Sequence, residues 1–183
     1  LFDLRGYIII PNALEPDLID DLNAGLDAVD FWGDWEWKGW LRKGKTQISQ
    51  MFEGGEPFER LIDHPAYIDH VTRFVGGDDG LFIDEAVAII RGPGGAIQLH
   101  SGAHKRRIRT QYRYHDGQFR CGQINVMMPL TPFGPRDGAT MLIPSSHKSN
   151  FLHPNFELPQ DQRMDLESVE AAVEVHANPG DAI

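Results

Sequence analysis

At 183 residues, 41% hydrophobic and 24% charged, the chain is long enough for one domain with a sizeable core and too apolar to stay disordered. A net charge of −10 argues against nucleic acid as a partner, because phosphate contacts need basic surface. No apolar run approaches the roughly 18 residues of a membrane span, and the longest, such as "YIII" and "AVAII", have strand length.

Cys121 is the single cysteine, so neither an intrachain disulfide nor a multi-cysteine metal site can form. One free thiol in a strand-like run reads as a small buried residue and fits a reducing, cytoplasmic setting. Residues 1–183 read as a single domain. The closing "NPGDAI" is a turn followed by the first apolar residues of a strand, so further chain is expected beyond it.

In chain order, "RGYIIIPNAL" predicts a short strand ending at Pro11. "EPDLIDDLNAGLDAV" predicts a helix, with Pro16 and Asp17 suited to its first turn. Leu18, Ile19, Leu22, Leu26 and Val29 give it one apolar stripe. "FWGDWEWKGW" holds all four tryptophans, Trp32, Trp35, Trp37 and Trp40, without a clean period. It reads as loop packing or as the wall of a substrate pocket. "EPFERLIDHPAYIDHVTRFVGG" predicts two short helices with a break before Pro65 and an end at Gly76-Gly77. His64 and His70 in this segment read as packing and surface residues.

From residue 81 the texture changes to short apolar runs divided by Gly, Pro and Asp turns. The runs are "LFIDEAVAIIR", "AIQLHSG", "RIRTQYRYHDG", "RCGQINVMMPL", "GATMLIPSS", "AAVEVHANPG" and "DAI". Helices first and strands after predict an α+β, mainly β chain, with N-terminal helices buttressing a closed or double-sheet β core.

A strand places residues i and i+2 on one side. A histidine and a carboxylate at that spacing can grip one metal ion, and a second histidine completes a face suited to non-haem iron(II). His100 in "AIQLHSGAHKRR" is the candidate metal ligand, but Gly102 stands where the carboxylate is expected. His104 makes an H-x-x-x-H pair with His100, which binds zinc only on a helix, and the context here is strand. The nearby cluster of Lys105, Arg106, Arg107 and Arg109 is a solvated turn or a guide for an anionic substrate or co-substrate. Gln98 points to the same side as His100. Gln123 and Asn125 alternate with Ile124 and Val126, which implies either a polar cofactor pocket or a solvent face. Thr140 on the following strand belongs with them. These four are the candidate cofactor contacts.

"LHSGAH", "YHDGQFRCGQINVMMPLTPFGPRDGATMLIPSSHKSN" and "VEVHANPGDAI" together resemble the phytanoyl-CoA dioxygenase family of iron(II)- and 2-oxoglutarate-dependent oxygenases. Pro129 to Lys148 is the most specific part, with Ser145 where the family usually has Gly. The resemblance implies a double-stranded β-helix, a jelly-roll or cupin-like fold, with His100 as first iron ligand. It also implies Fe(II), 2-oxoglutarate as co-substrate and a small-molecule substrate. The second histidine and the arginine for 2-oxoglutarate are expected after Ile183.

Gly102 leaves three readings. Iron binds with water or another side chain in the vacated place, Asp116 being the nearest turn carboxylate in sequence. Alternatively a halide fills the gap, as in the iron-dependent halogenases. Lastly, the site has lost iron and serves binding alone. The expected activity is that of an oxygenase, a hydroxylase in the first instance. Of the remaining histidines, His115 marks a turn, His147 orders its loop, His153 lies where it could line a pocket, and His176 is structural. Asp181 reads as a turn residue.

Overall fold

The computed structural model describes residues 1–29, 39–42, 45–77, 80–92, 110–132, 134–135, 137–149, 151–159, 162 and 168–183. Helices and strands interleave more than the sequence predicts: strands at Gly39–Arg42 and Lys45–Ser49 precede the helices at Glu56–Glu59 and Ile68–Phe74, and a one-turn helix at Pro154–Glu157 falls among the later strands.

After a single turn, α1 (Phe2–Arg5), the main N-terminal helix is α2 (Pro16–Asp27). Proline at its first position costs nothing, because that N–H has no intrahelical partner. Its apolar stripe does what periodicity requires. Leu18 and Leu22 are fully buried, and Ile19, Leu26 and Val29 pack beside them. α3 (Glu56–Glu59) brings Phe58 against the same stripe. A Cβ on Gly25 would stand 2.7 Å from the Phe58 ring, so the missing side chain permits this close approach. α4 (Ile68–Phe74) follows Pro65 and ends with Val75 as its C-cap, just ahead of the Gly76-Gly77 pair at which the sequence predicts its end.

Three small antiparallel sheets make up the described β structure. β1 (Gly39–Arg42), β2 (Lys45–Ser49) and β3 (Val87–Arg91) form the first, in that order. β2 escapes sequence reading because "KTQIS" has no alternation. Gln47 and Ile48 are both buried, and hydrogen bonding to a neighbour on each side makes it a strand. Trp40 lies in β1 opposite Gln47, so the tryptophan stretch closes in a strand and not in a loop. Trp32, Trp35 and Trp37 lie outside the described residues.

β4 (Tyr112–His115) and β5 (Gln118–Cys121) form a hairpin across Asp116-Gly117. Both turn residues have positive φ, at 49° and 78°, which suits the twist of a two-residue hairpin. β6 (Thr140–Leu142) pairs with β7 (Val173–Val175). The run at 123–129 is not a regular strand. It is extended beside the C-terminal residues, Met127 and Ile183 exchanging both backbone bonds at 3.0 and 2.9 Å. "YIII" likewise yields one bridge and not a strand, Ile10 to Ala182. The turn at Asn12, with φ of 51°, follows at once and limits the pairing.

Two apolar clusters join these parts. Leu14, Leu18, Leu22, Ile48, Phe58 and Leu61 form the first, which Met128 and Leu130 flank. Ala13, Tyr67 and Ala182 form the second, flanked by Val126 and Met128. The helical layer therefore packs on one side of the 123–130 run. Among the described residues no helix is long and apolar enough to cross a membrane.

Candidate functional site

That packing decides which way the 123–130 run faces. Val126, Met128 and Leu130 turn toward the helices. The intervening positions, Gln123, Asn125 and Met127, turn away, and Asn125 and Met127 are exposed. Thr140 on β6 donates its hydroxyl to the Met127 sulfur at 3.2 Å, which brings it to the same face. Three of the four expected co-substrate contacts thus share one surface opposite the helical layer. Gln98 lies outside the described residues, as do His100, Gly102, His104 and the basic cluster from Lys105 to Arg109.

The structure adds Asp84, which accepts from the Gln123 amide at 3.1 Å. Asp84 sits ahead of β3, thirty-nine positions from Gln123 in sequence, and no local pattern singles it out. Asp116 occupies the hairpin turn and is exposed.

Among the described residues no three His, Cys, Asp or Glu side chains gather as a metal seat. The described face does fit the co-substrate. Carboxamide N–H groups, which Gln123 and Asn125 carry, are donors that a dicarboxylate accepts from. A carboxamide has two N–H donors, so Gln123 can hold Asp84 with one and offer the other.

The other histidines take structural places. His64 is buried and stacks on Tyr67, and its Nδ1 accepts the Ala66 N–H at 3.3 Å. His70 is exposed. His153 accepts the Asn155 N–H at 3.2 Å and so caps α5 (Pro154–Glu157). His176 pairs with Glu174 at 2.9 Å on the surface. Cys121 is half-buried against the Phe74 carbonyl at 3.6 Å, and burial pushes its thiol up to about 11.

His147 orders its loop, and the means are visible. The "PSSHK" turn fastens α1 to the β4–β5 hairpin. Ser145 donates its backbone N–H to Arg5 at 2.8 Å and its hydroxyl to Leu4 at 2.6 Å, both orphan carbonyls at a helix end. Ser145 has φ of 68°, a left-handed conformation that glycine adopts more readily. The hydroxyl bond offsets that cost and accounts for serine at a position the family resemblance assigns to glycine. Asp3 accepts from the Tyr112 hydroxyl and from Lys148 Nζ at 3.0 Å. Those bonds, Tyr112 first, hold its carboxyl below the usual range.

His147 Nε2 lies 3.0 Å from the Asp3 carbonyl, which can only accept, so the proton is on Nε2. Nδ1 is buried and has no hydrogen-bond partner among the described residues. Burial lowers the imidazole's pKa below the ordinary 6.5, Lys148 adds to this, and Asp3 opposes it. The folded state thus binds this proton less well than the unfolded chain. The contribution is fully present above 6.5 and is lost as pH falls through the lowered folded value. Chemical denaturation of wild type and His147→Gln at about pH 7 and pH 5 should show a larger acid loss in wild type. Equal losses would remove His147 from the account.

This fold is shared with HygX from Streptomyces hygroscopicus. HygX with nickel and 2-oxoglutarate bound matches with a TM-score of 0.81 at 19% identity, covering 99% of this chain and 73% of HygX. HygX with nickel, 2-oxoglutarate and hygromycin B bound matches at 0.78, with 19% identity and the same coverage of 99% and 73%. HygX with iron bound matches at 0.78 and 19%, covering 99% and 72%. No curated protein matches the chain. The class of protein that emerges is an oxygenase dependent on iron and 2-oxoglutarate. The sequence profile described as "Phytanoyl-CoA dioxygenase (PhyH)" matches residues 2–183, and the chain belongs to that family, with iron and 2-oxoglutarate as its cofactors.

Proposed function

We propose that this protein is a hydroxylase of a small organic substrate, built on a double-stranded β-helix of which the three small sheets are parts. One observation carries the reading. The 123–130 run turns its apolar side chains to the helices and its amides, with Thr140, to the opposite face. A run that packs its apolar side chains on one side and offers polar ones on the other supports a cofactor pocket on the polar side.

His100 is the proposed iron ligand, by its match to the family motif in "LHSGAH". Gln98, Gln123, Asn125 and Thr140 are the proposed seat for 2-oxoglutarate. Iron and the co-substrate, when bound, supply oxidation of a C–H bond by dioxygen. The chain's own part is to hold and orient. The amides donate to the co-substrate's carboxylate oxygens, and Asp84 fixes the rotamer of Gln123. The apolar side of the run excludes water from beneath the site. A small-molecule substrate fits the kind of ligand that HygX carries in its hygromycin B complex.

The test is anaerobic titration with Fe(II) and 2-oxoglutarate. Stoichiometric iron uptake and a visible charge-transfer band that needs both components are expected, and His100→Ala should abolish both. Wild-type protein that takes up no iron would overturn the reading in favour of a metal-free binding role.

Glycine at 102 favours a second reading, halogenation, because a missing side chain leaves room for a halide. Product masses decide between them. An added oxygen without halide supports hydroxylation, and a halogenated product that requires added chloride supports the alternative. Gly102→Asp should then shift product toward hydroxylation.

A further inference from the structure

We propose that the outer face of the β4–β5 hairpin is a binding site for a phosphate-bearing ligand, with Arg113 and Arg120 as its two arms. Strand alternation divides the hairpin cleanly. Tyr112, Tyr114, Phe119 and Cys121 share one face, where Tyr112 and Cys121 pack inward against His147 and Phe74. Arg113 and Arg120 share the other face, directly opposite each other across the strands.

Like charges facing each other in a hairpin repel, with Cβ atoms about 5 Å apart. Nothing among the described residues neutralises this pair, since neither guanidinium has a carboxylate at ion-pair distance. The chain is not short of acid, having 27 Asp and Glu against 17 Lys and Arg. Yet the segment 105–120 carries six Lys and Arg with Asp116 as its sole carboxylate. An unneutralised arginine pair on an acidic protein costs stability that a bound anion would return.

The pair is also oriented. Gln111 is buried, at 8% exposure, and its Oε1 accepts from Arg113 Nε. That bond fixes the plane of the guanidinium and, among the described residues, leaves its two terminal nitrogens without a partner, a fork matched to two oxygens of one phosphate. Arg120 supplies a second fork across the strand. Two forks fit an anion with several oxygens on adjacent centres, such as a diphosphate, better than a single carboxylate. The cluster at Lys105 to Arg109 lies outside the described residues and is not needed for the geometry.

The probe is inorganic pyrophosphate, titrated calorimetrically into the full chain at fixed ionic strength, with inorganic phosphate and citrate in parallel. Saturable pyrophosphate binding is expected, weakened at least about tenfold in Arg113→Gln/Arg120→Gln, the loss of one charge-assisted contact or more. Phosphate alone should bind more weakly, since it engages one fork. Citrate binding as tightly as pyrophosphate would overturn the assignment to phosphate. Without ligand, Arg120→Gln should melt no lower than wild type, because repulsion has been removed. A lower melting temperature would mean that Arg120 is structural and would overturn the proposal. So would an absence of saturable binding, or equal binding in the double variant. The iron and 2-oxoglutarate titration is independent of these results, so each reading can fail alone.

Discussion

Asp181→Ala is expected to destabilise the protein by about 2–4 kcal/mol, read as a fall in the urea midpoint. The carboxylate is 5% exposed and accepts two backbone bonds, from Asn12 at 2.9 Å and from Asn178 at 2.8 Å. Bonds from N–H to a buried anion are charge-assisted, each contributing about 1.5–3 kcal/mol, and the two share one group and do not simply add. Removal also releases a join between distant parts of the chain. Asn12 sits at φ of 51° just after the Ile10 to Ala182 bridge, and Leu14 donates to the Gly180 carbonyl at 2.8 Å at the approach to α2. Gly180 has φ of 86°, and a Cβ there would stand 2.6 Å from Ile19, so this turn cannot adjust by changing residue. Asp181→Asn should recover only part of the loss, because an amide presents one acceptor and turns its NH2 toward the other N–H. A loss below about 0.5 kcal/mol for alanine would show that the two N–H groups find other partners, as at an ordinary surface site.

Periodicity announced α2 because an amphipathic helix carries its whole burial pattern locally. Leu18 and Leu22 are buried where the spacing puts them. The hairpin was legible at "HDG" for a similar reason, since the turn chemistry lies in two adjacent residues. β2 was not legible, because its strand state comes from partners on both sides and not from its own composition. "YIII" forms less than its pattern predicts, since apolar β-branched residues satisfy a strand pattern whether or not a neighbour pairs with more than Ile10. The candidate site divides along the same line. Gln123 and Asn125 could be found by alternation within one run, and Thr140 as polar in a nearby strand. Asp84 meets Gln123 only through tertiary folding. Asp181 reads as a turn residue in the sequence, but its bond to the Asn12 N–H joins positions 169 apart. The assignment of His100 came from family resemblance, because a lone strand histidine has no local mark of metal binding.

Gly6→Ala tests whether the "PSSHK" loop grips α1 as tightly as the geometry states. Gly6 has φ of 82°, and an added Cβ would lie 2.4 Å from His147 Nδ1 and 2.8 Å from Cγ. Two costs therefore combine. An alanine in the left-handed region costs about 1–2 kcal/mol, and forcing an atom into a packed contact costs about 1–3 kcal/mol. The ring cannot swing aside freely, because Nε2 is bonded to the Asp3 carbonyl and its face is set edge-on to Tyr112 at 4.8 Å. The expected result is undocking of α1 at a cost of about 2–5 kcal/mol. Amide exchange should show it as lost protection of the Gly6 and Ser145 N–H groups, which bond Phe2 and Arg5. Undocking also frees Lys148 from Asp3, while the core around Leu18 and Leu22 should keep its protection. His147→Ala separates the two costs. In the double variant the clash is gone and the φ strain remains, so Gly6→Ala should cost less there than in wild type by the packing share. Equal costs in both backgrounds would mean that the imidazole already moves out of the way, and the buried, unpartnered Nδ1 would then not be held in place by the fold.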